Sequence, residues 1–202
     1  MYREVDGGVL FVNCNPSGTD YDYYRDYYDQ HNRIPVDSIY YDNPKNTYFD
    51  AVEKFVKEGI GVSANYAMID VFPLVIQNQA VLKKAFREAY SDHDNREEAF
   101  NEILESFLEH IVKIKPAVII ATNAFVKDIF THDNSPFLNL KIKYTISEDP
   151  YNVCYHISID GFHTTLFCSG MISGGHQMDT ESKKRLIRDV RHFFSEQRGF
   201  SR

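Results

Sequence analysis

The chain has only three cysteines, Cys14, Cys154 and Cys168, and no C-x-x-C pair. An odd count at this spacing fits neither a disulfide framework nor a four-cysteine metal or iron–sulfur site, so no metal and no cofactor is expected. No apolar run approaches the roughly 20 residues that cross a bilayer. The start, MYREVDGG, lacks the charged-then-apolar order of a signal peptide. The expectation is an intracellular, cytoplasmic protein with no membrane partner. Positive charge is also short: 22 Lys and Arg stand against 29 Asp and Glu, a net −7. That balance argues against a large non-specific contact with nucleic acid, whose affinity comes mostly from phosphate neutralisation. Neither G-x-G-x-x-G nor G-x-x-x-x-G-K-[ST] occurs, which leaves a Rossmann-type nucleotide enzyme without its phosphate loop.

What is present is enough apolar material for one substantial core. With 202 residues, 43% hydrophobic and 14% aromatic, the chain reads as a single domain over residues 1–202. Four short, β-branched apolar segments are the strand candidates: VLFVN (Val9 to Asn13), YAMIDV (Tyr66 to Val71), AVIIA (Ala117 to Ala121) and TTLFC (Thr164 to Cys168). Phe100, Ile103, Leu104, Phe107, Leu108, Ile111 and Val112 recur at the spacing of one helical face and stop before Pro116. A second helix is expected over Tyr48 to Lys57. A third runs from about Asp179, with Leu186, Ile187, Val190, Phe193 and Phe194 on its buried side. YNVCYHISID and HTTLFCSG flank Gly161 and predict a hairpin around Asp160 and Gly161 whose second arm enters the sheet. Strands alternating with helices predict an α/β fold: three layers, α/β/α, around a mostly parallel four-stranded sheet, with a small C-terminal hairpin.

Two regions depart from the average composition. Residues 179–202 carry seven Lys or Arg against four Asp or Glu, an excess of three, which leaves the rest of the chain at −10. One end can therefore face an anion, although basic residues on a terminal helix are also an ordinary solvated face. Residues 19–48 hold eight of the 14 tyrosines without clear periodicity, as expected of a long ordered loop.

In open parallel sheets ligands bind beyond the carboxyl ends of the strands. Here those ends are polar: Asn13 to Gly18, Asp70 to Pro73, Thr122 with Asn123, and Ser169 to His176. In order and wording these segments resemble the uracil-DNA glycosylase superfamily, in particular its mismatch-specific and single-strand-selective branches. LFVNCNPSG is similar to the first motif of that family, a strand running into Asn-Pro-Gly. NPKNTYFDAV is similar to its Asn-x-Phe segment, IDVFPL to the strand whose last residue reads the base, and IKPAVIIATNAFVKDIF to its helix-Pro-strand unit, with Asn123 where Gly is usual. FCSGMISGGHQMD stands at the last motif, without the prolines of the family and with Met171 where His or Asn is usual.

The resemblance implies a hydrolase that cleaves the N-glycosidic bond of an unusual or damaged base, with DNA or a free nucleobase or nucleotide as partner. Asn15 would position the water, as an amide that orients it without accepting its proton well. His176 would donate to the departing base anion. Phe49 and Tyr23 would stack on the base, each such contact being worth roughly 1–3 kcal/mol. Ser17, Ser173, Gly174, Gly175 and Lys183 would meet phosphate. Asp70 stands where the family presents Asn; an ionised carboxylate only accepts hydrogen bonds, so it selects a base edge that displays donors. Each of these groups also has a plain structural use, since Asn-Pro-Ser-Gly makes turns, Asp70 can cap one, and Cys14 beside Asn15 is ordinarily apolar filler. The alternative function is an inactive binding module for a nucleobase, nucleotide or nucleic-acid end on the same fold.

Overall fold

The computed structural model describes residues 7–14, 47–61, 65–73, 78–92, 95–172 and 177–199, with the side chains of 47–49, 95 and 197–199 left aside. Six strands form one sheet: β1 Val9–Asn13, β2 Tyr66–Asp70, β3 Val118–Ala121, β4 Tyr144–Glu148, β5 Tyr155–Ile159 and β6 Phe162–Cys168. Their order across the sheet is β2-β1-β3-β6-β5-β4. The first four in that order run parallel and are the four segments expected from the sequence. The last two joins are antiparallel.

β1 and β3 read as unbroken apolar runs because both of their faces are covered, and every residue from Val9 to Val12 and from Val118 to Ala121 is buried. Successive side chains point to opposite faces. Leu10, Val12, Ile69, Ile119 and Leu166 pack in one cluster with α2 (Gln79–Asp92), α3 (Asn95–Ile114) and α4 (Ala124–Thr131). Val9, Phe11, Val118, Ile120 and Phe167 pack in the other. That second cluster is closed by α1 (Thr47–Lys54) with its π-helical continuation Phe55–Ile60, and by α5 (Thr180–Gly199). Contact between these two helical elements is close: a Cβ added to Gly59 would lie 2.8 Å from Cδ1 of Ile187.

The hairpin expected at Asp160 and Gly161 is present. Both residues have positive φ, 48° and 83°, the two left-handed steps that a tight turn between twisted strands requires. The sheet differs from the expectation in having six strands rather than four with a separate hairpin. Both arms of the hairpin belong to it, and β4 adds an edge strand that sequence patterning does not predict. The reason is local: only one face of β4 is covered, so Tyr144 and half-buried Ile146 are its sole inward residues, and Thr145, Ser147 and Glu148 are exposed. Helix α2 is also absent from the sequence reading, although Leu82, Phe86 and Ala89 stand at i, i+4 and i+7 and are its buried residues. Helix α3 buries the predicted face, and α5 begins within one residue of the predicted start.

Candidate functional site

At the carboxyl edge of the parallel strands, β1 and β2 end side by side, with Asn13 and Asp70 as register partners. The pairing continues one step past the strands, as Val71 N donates to Asn13 O and Phe72 N to Cys14 O, both at 3.0 Å. On the other side of β1, buried Thr122 follows β3. Its hydroxyl donates to Asn13 Oδ1 at 2.6 Å, with the Val12 carbonyl 3.2 Å away. Ser169 follows β6 and ties it to β3 through N–H donation to Ala121 O at 2.8 Å. The polar ends of all four parallel strands thus share one edge, held to one another by main-chain and side-chain hydrogen bonds.

Helices add to that edge. Asn123, at the position where the resembling family has Gly, caps α4 by accepting from Phe125 N at 2.8 Å, and its Nδ2 donates to Gln79 Oε1 at 3.2 Å. Gln79 opens α2, whose own start is capped by Asn78 accepting from Ala80 N. The first turns of α2 and α4 therefore meet beside the ends of β1 and β3. One turn further along α2, on the same face as Gln79, the ammonium of Lys83 lies 5.5 Å from the centre of the Phe125 ring.

Cys14 is 1% exposed and belongs to the same core cluster as Phe72 and Phe125. Burial pushes its thiol up to about 12, with nearby Lys83 opposing and Asp70 adding to the rise. A thiol held protonated in this way is filler rather than nucleophile.

Among the sequence-predicted site residues, Asp70 lies at this edge as expected. Asn15, Ser17, Tyr23, Ser173, Gly174, Gly175 and His176 fall outside the described residues, as does the side chain of Phe49, whose backbone is in α1. The described neighbours of those segments are informative. Cys14, adjacent in sequence to Asn15, is at the carboxyl edge, and Met171 and Gln177, flanking 173–176, form a bridge completed by Met178 N donating to Met171 O at 2.8 Å. Lys183, in the first turn of α5, donates to Gln177 Oε1 at 3.2 Å. Three other basic groups of α5 are engaged: Lys184 with Glu181, Arg188 with Asp189, and Arg191 with the Glu58 carbonyl of the neighbouring helical element. Thr122 was read from the sequence as part of the polar end of β3, without a role of its own; Gln79 and Lys83 were missed at this edge because α2 was not recognised.

The loop joining β4 to β5 lies at the same edge, since β5 begins opposite Leu166 near the end of β6. It is organised by one carboxylate. Asp149 Oδ1 accepts from the N–H groups of Tyr151 and Asn152 at 2.8 and 2.9 Å, and His156 Nε2 is 3.0 Å from Oδ2. The Tyr151 N–H foremost, then the Asn152 and His156 contacts, hold the Asp149 carboxyl down at about 2. A carboxyl whose folded pKa is depressed stabilises the protein above the usual carboxylate value, and that contribution is lost as pH falls through the folded value. The expected result is that wild type exceeds Asp149→Asn in urea midpoint at pH 5 and that the difference has shrunk markedly at pH 2. An unchanged difference at pH 2 would assign the loop's order to groups other than Asp149.

A further cavity, of about 580 Å³, lies on the uncovered face of β4, β5 and β6, with His156, Ser158, His163 and Thr165 in its floor and Phe193 of α5 in its wall. It brings together hydroxyls and two imidazoles, and its His156 is the partner of the Asp149 carboxylate. Among the described residues no group of three or more His, Cys, Asp or Glu side chains is arranged to hold a metal ion, and no helix is long and apolar enough to cross a membrane. Compared with known proteins, the chain matches no protein-family model and no curated sequence.

Proposed function

We propose that the strand-end site is that of a uracil-DNA-glycosylase-like hydrolase, which cleaves the N-glycosidic bond of an unusual or damaged base in DNA. The observation that carries this reading is the common edge. The segments that resemble four of the family's motifs include four parallel strands that lie side by side in the order β2-β1-β3-β6, with Asn13, two residues before Asn15, directly beside Asp70. Fold and motif order by themselves do not make an enzyme, so the reading rests on what these groups can do together.

Hydrolysis requires a water aimed at C1′ of the sugar, a base drawn out of the stack, and stabilisation of the electron pair that leaves with the base nitrogen. In the proposed mechanism the Asn15 amide aims the water, whose oxygen bonds to C1′ as the C1′–N bond breaks. His176 donates toward the departing base, and the water's second proton passes to solvent. Asp70 accepts from donors on the base edge, while Phe49 and Tyr23 stack on its faces. Ser17, Ser173, Gly174 and Gly175 would offer hydroxyls and main-chain N–H groups to the flanking phosphates, and Lys183 would add a positive charge.

The test is a panel of single- and double-stranded oligonucleotides carrying uracil, hypoxanthine, xanthine or an alkylated base, with alkali cleavage reporting abasic sites. Alkali-labile breaks at one of these bases are the expected result. Binding of the bases without breaks would leave a nucleobase-binding module on this fold, and neither binding nor breaks would remove the reading.

A further inference from the structure

β4 is the last strand of the sheet, with β5 on one side and, among the described residues, no strand on the other. The phase of its hydrogen bonds is fixed at both ends. Asp160 N donates to Lys143 O at 2.9 Å and Asp149 N to Cys154 O at 3.0 Å, and both bonds continue the register that pairs Tyr144 with Ile159 and Glu148 with Tyr155. In an antiparallel ladder, residues that bond to one neighbour alternate with residues whose N–H and C=O point the other way. Lys143, Thr145, Ser147 and Asp149 therefore turn their main-chain groups to β5, and Tyr144, Ile146 and Glu148 turn theirs to the open edge. Such a row is a template for another strand.

Little in β4 keeps a second strand away. Its five residues include one charge, Glu148, and neither a proline nor a bulge. Charge is instead sorted by end: exposed Lys141 and Lys143 precede the strand, and Glu148 and Asp149 close it. Large apolar side chains left in water gather at the same two ends. Of the four among the described residues, only Val81 is elsewhere. Tyr151 and Val153, 93% and 80% exposed, follow the acidic end. Leu138, 47% exposed, adjoins Phe137, whose ring lies 5.1 Å from that of Tyr144 at the basic end.

We infer that the open edge of β4 is an interface with a second copy of this chain, the two β4 strands pairing antiparallel about a two-fold axis at Ile146. In that register Ile146 faces the partner's Ile146 and Tyr144 faces the partner's Glu148, so every outward N–H and C=O of the three residues meets a main-chain group of the other copy. Lys143 then stands directly opposite the partner's Asp149, in the kind of pair where side chains approach most closely, and symmetry makes the contact twice. The Asp149 carboxylate keeps its own loop bonds and attracts Lys143 as well. A strand that is basic at its start and acidic at its end complements itself only when reversed, which is what a two-fold axis does. The same reversal carries Tyr151 and Val153 of one copy toward the end at which the other has Leu138.

Sedimentation velocity of the full chain at about 10–100 μM, a range suited to an interface of modest size, is expected to show a dimer. Lys143→Glu makes both symmetric pairs repulsive and should weaken that dimer about tenfold. Ile146→Pro removes the central outward N–H, which the single chain does not use, and should leave a folded monomer. Hydrogen exchange read amide by amide identifies what lies along the edge. The N–H groups of Tyr144, Ile146 and Glu148 should gain protection as protein concentration rises, while those of Thr145 and Ser147, bonded to β5, stay protected throughout. If Ile146→Pro unfolds the chain, Lys143→Glu and the exchange pattern decide the matter by themselves. A monomer over the whole range, or a dimer that neither substitution weakens, would overturn the inference. So would protection at the three outward amides that is independent of concentration, which would put another segment of the same chain on the edge, or no protection there at any concentration, which would leave the edge to water or to a different protein.

Discussion

Replacing Asn15 by Ala should lower turnover in the glycosylase panel by about 100-fold or more, the scale on which a positioned proton-transfer or water-orienting group contributes. On the proposed mechanism the Asn15 side chain is the group that aims the attacking water, and alanine has nothing to aim it with. Asn15→Asp supplies the discriminating control. It preserves the shape of the side chain and adds a base, so its turnover should equal or exceed that of wild type. Equal unfolding midpoints for the three proteins would mark the loss in Asn15→Ala as chemical. Undiminished turnover in Asn15→Ala would move the water-positioning role to another residue at the edge, such as Asn13 or Thr122.

The largest structural effect is expected at Phe72. It is fully buried two residues beyond Asp70, and its ring meets three others, Phe86, Phe100 and Phe125, at centroid distances of 5.6, 5.9 and 6.0 Å. Those rings come from α2, α3 and α4, so one side chain joins all three helices of that layer to the end of β2. Phe72→Ala removes the common member and leaves a cavity, for which losses of about 3–5 kcal/mol are usual. Against a total stability of about 5–15 kcal/mol for a folded domain, that is a large fraction. Urea denaturation should register it as a lower midpoint with little change in slope. The exposed Val81→Ala on α2 should barely move the midpoint. A Phe72→Ala loss below about 1 kcal/mol would mean that the layer repacks around the gap, contrary to the usual cost of large-to-small core changes.

The two substitutions act on different levels of the same edge. Phe72 fixes where the last residues of β2 stand, through the core beneath them and the bond from its N–H to Cys14 O. Asp70 is then carried to the carboxyl edge by β2, two residues before Phe72.

By itself the sequence determined the elements whose burial is complete on two faces or regular along one. The runs Val9 to Asn13 and Val118 to Ala121 are apolar throughout because helices cover both sides of the sheet there, and α3 announces itself by a stripe that repeats over several turns. The turn at Asp160 and Gly161 was equally legible, because few residues adopt two successive positive φ angles. The sequence also set the polar character of the strand ends, and with it the location of the candidate site. What only the tertiary structure decided were the parts that depend on a neighbour. β4 shows two inward residues and becomes a strand through pairing with β5. Asn123, which reads as a departure from a motif, is the cap of α4 and its tie to α2. Lys83 is indistinguishable in sequence from Lys84 beside it; helical geometry turns one toward Glu88 in solvent and the other over Phe125 at the strand ends. A one-residue step along a helix rotates a side chain by about 100°, and the meaning of each charge follows from what the fold sets in that direction.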